Sequence, residues 1–379
     1  NGRGPVEPGA HFYRSLMLDE NGNRINKRNA WAARTVAYVR LIPPGAADTV
    51  HYRLNIPDDC GDEIKLKAKV HYRKFNWWNT QWSYAGVRDP EHKDYSIGKG
   101  HDDGRWVFTG DTSQVSGKMK SIPDLPIVTM ASDEVKVSVI EKSSPEPKPV
   151  LYIDRSVRER WNDYAIGLLL QGDIRAAEAA FLKVTQMEPE YADGWVNVAR
   201  ARIQEGRLEA AQEVLRKALQ LQPNLAKAQF FMAQTLKNQG QYDKALEYFN
   251  AAISQFPKDR VMLNETARTL FLKRRYEDAI SMFKRVLQID PEDLQAHYNL
   301  MLCYRGLGDK TQAEREERLY RRFKANESAQ SITGPFRKLN PEDNNERQSI
   351  HEHVSVPVEK IKANQKQLMA AQSKGTQKH

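Results

Sequence analysis

One pattern returns every 34 residues between about Arg158 and Lys324, and it constrains the fold of this 379-residue chain more than any other feature. Prolines, small residues, bulky apolar residues and glycines each keep this period. The positions are Pro189, Pro223, Pro257 and Pro291; Ala177, Ala211, Ala245, Ala279 and Ala313; Phe181, Leu215, Phe249 and Phe283; and Gly172, Gly206, Gly240 and Gly308, with Arg274 in place of the remaining glycine. Four independent positions that share one period predict stacked helix pairs.

Each unit of the pattern has a physical explanation. In the first unit, apolar residues recur at helical spacing from Trp161 to Gln171, and a second amphipathic helix is predicted from Ala176 to Met187. Gly172 lies between them, where a positive φ ends the first helix. A proline just past the second helix stops it without removing a needed donor. The recurring alanine marks a close approach of two helices, so a larger side chain there would overpack.

The periodic region resembles the tetratricopeptide repeat. The tryptophan of that motif is present at Trp161 and Trp195, and its first small residue is Ala165 in the first unit. The same small residue returns at Ala199, Ala233 and Ala267. The fifth unit has Glu317 where a bulky residue is expected, which suits a terminal repeat that faces solvent. The resemblance implies an α-solenoid of five repeats over residues 158–325 that binds polypeptide.

By analogy with the motif, the inner helix of each repeat lines a concave groove. The residues predicted to line it are Asn162, Arg200, Phe230, Gln234, Asn264, Arg268, Phe271 and Tyr298. Such a groove suits an extended peptide or a partner helix. Repeat proteins that clamp a peptide carboxylate use lysine and asparagine at fixed inner positions, and the first unit has Asn162 and Ile166 there, so that ligand is not predicted. The alternative is a groove that is solvated or filled by another part of the chain.

Residues 1–145 have the character of a β domain. In the clearest run, residues 63–75, apolar side chains alternate with lysine, histidine and arginine, which is the period of a half-buried strand. An antiparallel β-sandwich-like domain is therefore predicted. A linker rich in proline and serine follows at 146–157, and a polar tail occupies 326–379. Within the tail, residues 354–358 alternate like an edge strand and 359–372 have the pattern of a short helix.

The β domain carries a second resemblance, which rests on four phrases: HFYRS at 11–15, NAWAAR at 29–34, LIPPG at 41–45 and WWNTQW at 77–82. Together they resemble the non-haem C-terminal portion of bacterial multihaem c-type cytochromes that also carry tetratricopeptide repeats. This resemblance implies an exported protein close to an electron-transfer system. Covalent haem attachment needs Cys-x-x-Cys-His, and neither Cys60 nor Cys303 begins such a motif, so no haem is attached by that route.

Other patterns that suggest a site have simpler structural explanations. His351 and His353 would offer two imidazoles to a metal if their segment were a strand, but two ligands rarely make a site, so a solvated tail and no metal are expected. Acidic turns at 58–62 and 101–103 lack the spacing of a calcium loop. Three tryptophans at 77, 78 and 82 would stack on sugars, although core or interface positions are the commoner role. The net charge of +9 is spread along the chain, so nucleic acid is not predicted as a partner. No apolar run is long enough to span a bilayer, so no membrane span is predicted.

These patterns favour a non-enzymatic scaffold for protein–protein interaction, without a cofactor. The expected partners are proteins, in the first place other copies of the chain held through the tail and the repeat groove. Open ends of a repeat array would let such contacts propagate into a filament. The chain begins at Asn1 without a visible signal peptide, and the expected location is extracellular or periplasmic. The alternative is an accessory or processed portion of a multihaem cytochrome system, and a carbohydrate-binding module is a third hypothesis.

Overall fold

The computed structural model describes residues 9–25, 32–56, 60–75, 77–85, 87–88, 106–107, 111–113, 115, 118, 120–123, 125–140, 158–324 and 328–354. The described residues divide into two compact units. The terminal unit draws on 1–41, 50–148 and 327–379, and the array unit on 42–49 and 149–326. Two segments therefore group differently from the boundaries predicted from sequence: residues 42–49 belong with the repeats, and the tail belongs with the N-terminal region.

The N-terminal part of the terminal unit consists of short paired strands and one helix. Its elements are β1 (Arg14–Leu18), β2 (Thr35–Arg40), β3 (His51–Arg53), β4 (Glu63–Arg73), α1 (Trp77–Ala85), β5 (Val87–Arg88), β6 (Trp106–Val107) and β7 (Ile127–Ser138). β1 pairs with β2, β4 with β7 and β5 with β6, all antiparallel. Each pair is a separate two-stranded sheet, so the predicted β-sandwich is not shown by the described residues.

The ladder of β4 and β7 differs most from the expectation. The strand predicted at residues 63–75 is present, but its apolar face is largely exposed: Val70 is 49% and Tyr72 54% accessible. Cross-strand ion pairs decorate the other face, with Lys65 Nζ 2.6 Å from Glu134 Oε1 and Lys136 Nζ 2.9 Å from Glu63 Oε1. Alternation therefore predicted the strand correctly and its burial incorrectly, because a period of two fixes which side chains share a face but not what covers it.

Residues 158–324 form five consecutive helix pairs. The helices are α2 (Arg158–Gln171), α3 (Ile174–Met187), α4 (Ala192–Gln204), α5 (Leu208–Leu221), α6 (Ala226–Asn238), α7 (Tyr242–Gln255), α8 (Arg260–Leu272), α9 (Tyr276–Ile289), α10 (Leu294–Gly306) and α11 (Lys310–Phe323). The glycine between the helices of a pair has φ near +80°, and Arg274 takes the same left-handed conformation at φ 59°. Arg274 therefore differs from the recurring glycines in its side chain but not in its backbone conformation.

The periodic residues build one continuous core through the array. The recurring alanines are 0–3% exposed, and Phe181, Phe249 and Phe283 are fully buried. The carbonyl of each recurring proline also accepts a side-chain hydrogen bond. Trp195, Gln229 and His297 donate to the proline six residues earlier, at 2.8, 3.1 and 2.9 Å. In the fourth repeat Leu263 occupies that position, and Arg285 donates to Pro257 instead, at 3.3 Å.

The described part of the tail completes the terminal unit. It forms α12 (Ser328–Leu339), α13 (Pro341–Arg347) and β8 (Glu352–Val354). Both helices pack on β2, and Phe336 enters a small core with Leu16, Leu18 and Tyr38. β8 pairs in parallel with β3, so that Tyr52 faces His353. Of the strand predicted at 354–358 only Val354 is described, and the helix predicted at 359–372 lies outside the described residues.

Candidate functional site

The first helices of the repeats share one surface, which we call the inner face. α4, α6, α8 and α10 contact each other directly, in addition to the second helices on either side. All eight residues predicted from the sequence to bind a partner lie on first helices. Asn162 lies on α2, Arg200 on α4, Phe230 and Gln234 on α6, Asn264, Arg268 and Phe271 on α8, and Tyr298 on α10.

The eight residues differ in how much surface they offer. Arg268 and Tyr298 are exposed, whereas Asn162, Arg200, Gln234 and Phe271 are partly buried. Phe230 and Asn264 are only 8% and 7% exposed. The Phe230 ring packs on that of Phe249, with centroids 5.8 Å apart, and Asn264 Nδ2 donates to Asp293 Oδ2 at 3.3 Å. These two side chains serve the packing of the array more than they serve a ligand.

Arg200 is the most unusual charge on the inner face. Its guanidinium donates to Asn197 Oδ1 at 3.1 Å, and Asn197 Nδ2 donates in turn to Asn162 Oδ1 at 3.0 Å. The guanidinium also lies over the Phe231 ring, 5.7 Å from its centroid. Burial lowers the pKa of Arg200 below its ordinary value. Within the described part of the chain no carboxylate pairs with it, and the contacts seen for this partly buried cation are one amide oxygen and a ring.

The arginine returns at the same repeat position two units later. Arg200 and Arg268 are 68 residues apart, twice the repeat length, and Gln234 occupies the position between them. Arg268 is exposed and, among the described residues, forms no ion pair. A row of two cationic side chains and one amide, all hydrogen-bond donors, therefore runs across three successive first helices.

Acidic groups near this row are already neutralised. Lys227 Nζ lies 2.9 Å from Asp193 Oδ1, and Lys237 forms an ion pair with Glu265. The neighbouring lysines thus form ion pairs within the array, whereas the two arginines do not. The inner face is chemically suited to hold carboxylate groups beside apolar and aromatic surface.

Several other candidate groups from the sequence have different outcomes. His351 and His353 are 8% and 6% exposed, so the expectation of a solvated tail is wrong at this point: the segment joins a sheet and is covered. Cys303 is also buried, and desolvation raises the pKa of its thiol to about 12, which makes it unreactive as a nucleophile. The acidic turn at 101–103, residues 58–59, and the side chains of the tryptophans at 77, 78 and 82 lie outside what the structure describes.

A family model for the tetratricopeptide repeat matches residues 168–224, 202–264 and 270–330. Tetratricopeptide repeats are therefore found over residues 168–264 and 270–330. This confirms the first resemblance drawn from the sequence, and the helix pairs α2–α3 to α10–α11 give the repeats their physical form. No comparison supports the resemblance of the N-terminal region to multihaem cytochromes.

Several solved structures match part of this chain. A crystal structure of MamA shares 18% identity, with a TM-score of 0.39 over 42% of this chain and 94% of that one. MamA from Desulfovibrio magneticus RS-1, residue 41 to the end, shares 20% identity, with a TM-score of 0.41 over 46% of this chain and 100% of that one. YrrB, described as a TPR protein with an unusual peptide-binding site, shares 16% identity, with a TM-score of 0.38 over 48% of this chain and 96% of that one.

A search of curated proteins finds no match to this chain. Among the helices that the structure describes, none combines the length and the apolar character needed to cross a bilayer.

Proposed function

We propose that this chain is a non-enzymatic scaffold whose tetratricopeptide repeats bind an extended polypeptide on the inner face. Arg200 would hold a carboxylate of the partner, and Arg268 a second acidic group two repeats away. The observation that carries the proposal is the partly buried Arg200 guanidinium without a carboxylate partner among the described residues.

A partly buried charge is costly unless it is paired, and amide oxygens compensate it less well than a carboxylate does. The guanidinium is also held in place before any partner binds, because Asn197 and the Phe231 ring fix its orientation. A donor fork held in one position loses little conformational entropy when a carboxylate arrives. The arrangement therefore has the features of a preorganised anion site.

The surroundings of the arginines favour a polypeptide over a free small acid. Leu272 and Tyr298 on the inner face are each 43% exposed, and Val261 at the start of α8 is 59% exposed. Val261 and Leu272 lie on α8 and Tyr298 on the next first helix, α10, so the apolar surface extends over two repeats, as a bound polypeptide would. The expected ligand therefore combines apolar residues with at least one acidic residue.

The test is a binding experiment with two synthetic peptides and the full chain. One peptide alternates apolar residues with glutamate, and the other carries glutamine in place of glutamate. We expect the acidic peptide to bind more tightly, and Arg200→Gln to weaken it by about 10- to 100-fold, since a hydrogen bond to a charged group contributes roughly 1.5–3 kcal/mol. Fluorescence anisotropy of the labelled peptides measures both effects.

Arg216→Gln is the matched control, because Arg216 is exposed on the second helix α5 and not on the inner face. It should leave the affinity unchanged. Equal binding of both peptides, or an Arg200→Gln variant that binds as tightly as the wild type, would show that the inner face does not act in this way.

Self-association is the more specific form of the same proposal, with the tail of one copy as the ligand of another and a filament as the product. Residues 359–372 supply the amphipathic pattern that motivates it. Deletion of residues 355–379 keeps β8 and tests the idea by light scattering: assembly should be lost on deletion, and a full chain that is monomeric at high concentration would refute it. The extracellular or periplasmic location and a role beside a cytochrome system stay proposals that rest on sequence resemblance alone.

A further inference from the structure

Four potential metal ligands from opposite ends of the chain converge in the terminal unit. They are His11, just before β1, Glu346 in the last turn of α13, His351, and His353 in β8. One ligand atom from each residue can be chosen so that all four atoms lie within 4.8 Å of one another. Sequence reasoning found only the pair in the tail, because His11 and Glu346 are brought to it by tertiary structure.

Local structure explains why the two tail histidines point the same way. β8 places alternate side chains on opposite faces, so His351 and His353 are buried while Glu352 between them is exposed. Glu352 pairs with Arg53 on the neighbouring strand, 2.7 Å away, which holds the outer face in position. The sequence His-Glu-His therefore turns two imidazoles inward and keeps the intervening carboxylate outside.

The separations suit a single small ion. His11 Nδ1 and His353 Nε2 are 2.9 Å apart, and His351 Nε2 is 3.6 Å from Glu346 Oε2. Ligand atoms around tetrahedral zinc, with bonds of about 2.0–2.1 Å, are about 3.3 Å apart. Small rotations of the rings would bring the four atoms to that separation. The ion would also replace the proton that the facing nitrogens of His11 and His353 share.

Glu346 and His351 each have a buried polar atom that lacks a hydrogen-bond partner. Glu346 Oε2 and His351 Nε2 are buried and neither makes a hydrogen bond. Buried polar atoms without a partner are rare, because they have lost water and gained nothing in exchange. The two unpaired atoms are 3.6 Å apart, a separation at which one metal ion contacts both.

The groups around the cluster already support metal binding. His351 Nδ1 donates to the Gln348 carbonyl oxygen at 3.2 Å, which leaves the lone pair on Nε2, the nitrogen that faces the cluster. Arg40 donates to the Glu346 carbonyl oxygen at 3.0 Å and also to the Gln348 carbonyl oxygen, so it fixes the turn between α13 and β8.

We propose that His11, Glu346, His351 and His353 bind one Zn²⁺ ion in a closed four-coordinate site. Three imidazole nitrogens and one carboxylate oxygen are a ligand set that zinc accepts, whereas Ca²⁺ and Mg²⁺ prefer oxygen alone. Four protein ligands leave no open position for a substrate, so the ion is structural. It ties the N-terminal segment to the end of the described tail, across 342 residues of sequence.

The experiment uses the full chain without an added polyhistidine sequence, since such a sequence binds zinc itself. The protein is stripped with a chelator, and zinc is titrated back by calorimetry, with mass spectrometry for stoichiometry. We expect one ion per chain and a higher unfolding temperature with zinc than without. Cobalt in place of zinc should give the visible absorption of a tetrahedral nitrogen and oxygen site.

Variants identify the ligands. His351→Ala and His353→Ala should each weaken zinc binding by more than about 100-fold, because loss of outer-shell partners alone costs roughly 10- to 100-fold. Glu346→Gln keeps the size of the side chain and should also weaken it, which covers the case that a histidine variant fails to fold. His71→Ala is the control, since His71 is exposed on β4. Zinc binding that is absent in the wild type, or that survives unchanged in His351→Ala and Glu346→Gln, would overturn the site.

Discussion

The array unit and the terminal unit are stabilised by contacts of different range. In the array, each helix packs on the helices next to it in sequence, and the 34-residue period carries one core from repeat to repeat. In the terminal unit, the small core joins Leu16, Leu18 and Tyr38 to Phe336, and Arg14 lies 3.5 Å from Asp343 in an ion pair that spans 329 residues. The first kind of core forms from local segments, whereas the second exists only after the two ends of the chain have met.

The range of the contacts determines which segments a destabilising substitution affects. Repeat arrays gain much of their stability from the interfaces between neighbours, so loss of one interface weakens the adjacent repeats. A unit closed by a few long-range contacts should instead open at those contacts while the array stays folded. Hydrogen exchange resolved by peptide separates these two outcomes, because it reports each segment on its own.

The largest effect is expected from Phe249→Ala. Phe249 is fully buried in the middle of the array, and removing a buried phenylalanine costs about 3–5 kcal/mol. Urea unfolding measures the loss, and hydrogen exchange should show it in α5 to α8 but not in the terminal unit. Phe256→Ala is the control: this ring is 54% exposed just past α7, and its loss should change stability by less than about 0.5 kcal/mol. Equal costs for the two variants would contradict a shared core.

Gly167→Ala tests the contact between the first repeat and residues 42–49, which belong to the same unit. A Cβ at Gly167 would lie 2.8 Å from backbone atoms of Asp48 and Thr49, closer than real contacts allow. Gln171 Nε2 also donates to Asp48 Oδ1 at 2.7 Å, so the segment has little freedom to move away. We expect a loss of about 1–3 kcal/mol and faster exchange in 42–49.

Gly334→Ala is the matched comparison in the terminal unit. Beyond its chain neighbours, its Cβ would meet nothing within 4 Å in α12. Pro335 follows it and disfavours helical backbone for a preceding residue with a Cβ, so the gain in helix propensity is offset and stability should change by less than about 1 kcal/mol. The same substitution is thus expected to cost more in the array unit than in the terminal unit. If Gly167→Ala cost no more than Gly334→Ala, the close approach of the 42–49 segment to α2 would be wrong.

How far the sequence predicts each unit follows from the range of its contacts. The glycines, alanines and prolines of the array predicted ten helices and their breaks, and even Arg274 was recognisable as the odd member at a glycine position. These features are local, so the period alone reveals them. The donors to the proline carbonyls could not be predicted, since Trp195, Gln229 and His297 share a position but no chemistry.

In the terminal unit, the sequence predicted strands but not their surroundings. The alternation from Ile64 to Tyr72 indicated a half-buried strand, and the structure leaves that face open. Helix α1 was missed because its aromatic residues have high β propensity. The tail was read as polar and solvated, yet Phe336 and His353 are buried there by partners from the first 40 residues and β3. Such contacts leave no periodic trace in a single sequence.

On acidification the terminal unit should lose stability at a higher pH than the array unit. Burial, aided by the charge of Arg40, lowers the pKa of His351 below 6.5, with Glu346 acting in the opposite direction and His11 in the same one. Burial likewise lowers the pKa of His353. Below about 6.5 the unfolded chain binds protons that the folded chain does not, so stability falls as the pH drops and levels off below the folded pKa values. Metal-free protein is needed, since an ion would compete with the protons.

The array should respond only at lower pH. Burial of Glu178 opposes ionisation, but hydrogen bonds from Arg202 and Arg207 overcome it and hold the pKa below 4.5. The stability that this carboxylate contributes is intact above about 4.5 and is lost as the pH falls through the lower folded pKa. At about pH 5.5, protection factors, which correct for the pH dependence of intrinsic exchange, should therefore be lower in the terminal unit than at about pH 7 and unchanged in the array. Loss of protection in both units within one pH window would contradict this order.

A small effect is expected where arginine replaces the recurring glycine of the array. Arg274 adopts φ 59° between α8 and α9, in the left-handed region that costs a residue with a Cβ about 1–2 kcal/mol. Arg274→Gly removes this strain but gives the unfolded chain more freedom, so a net gain of about 0.5–1 kcal/mol is expected. The reverse change, Gly240→Ala at φ 77°, should destabilise the third repeat by a similar amount. Urea unfolding of both variants makes the comparison. Because the Arg274 amide donates to Phe271 O at 2.8 Å in the same cap geometry, a destabilising Arg274→Gly would mean that its side chain contributes a contact worth more than the strain.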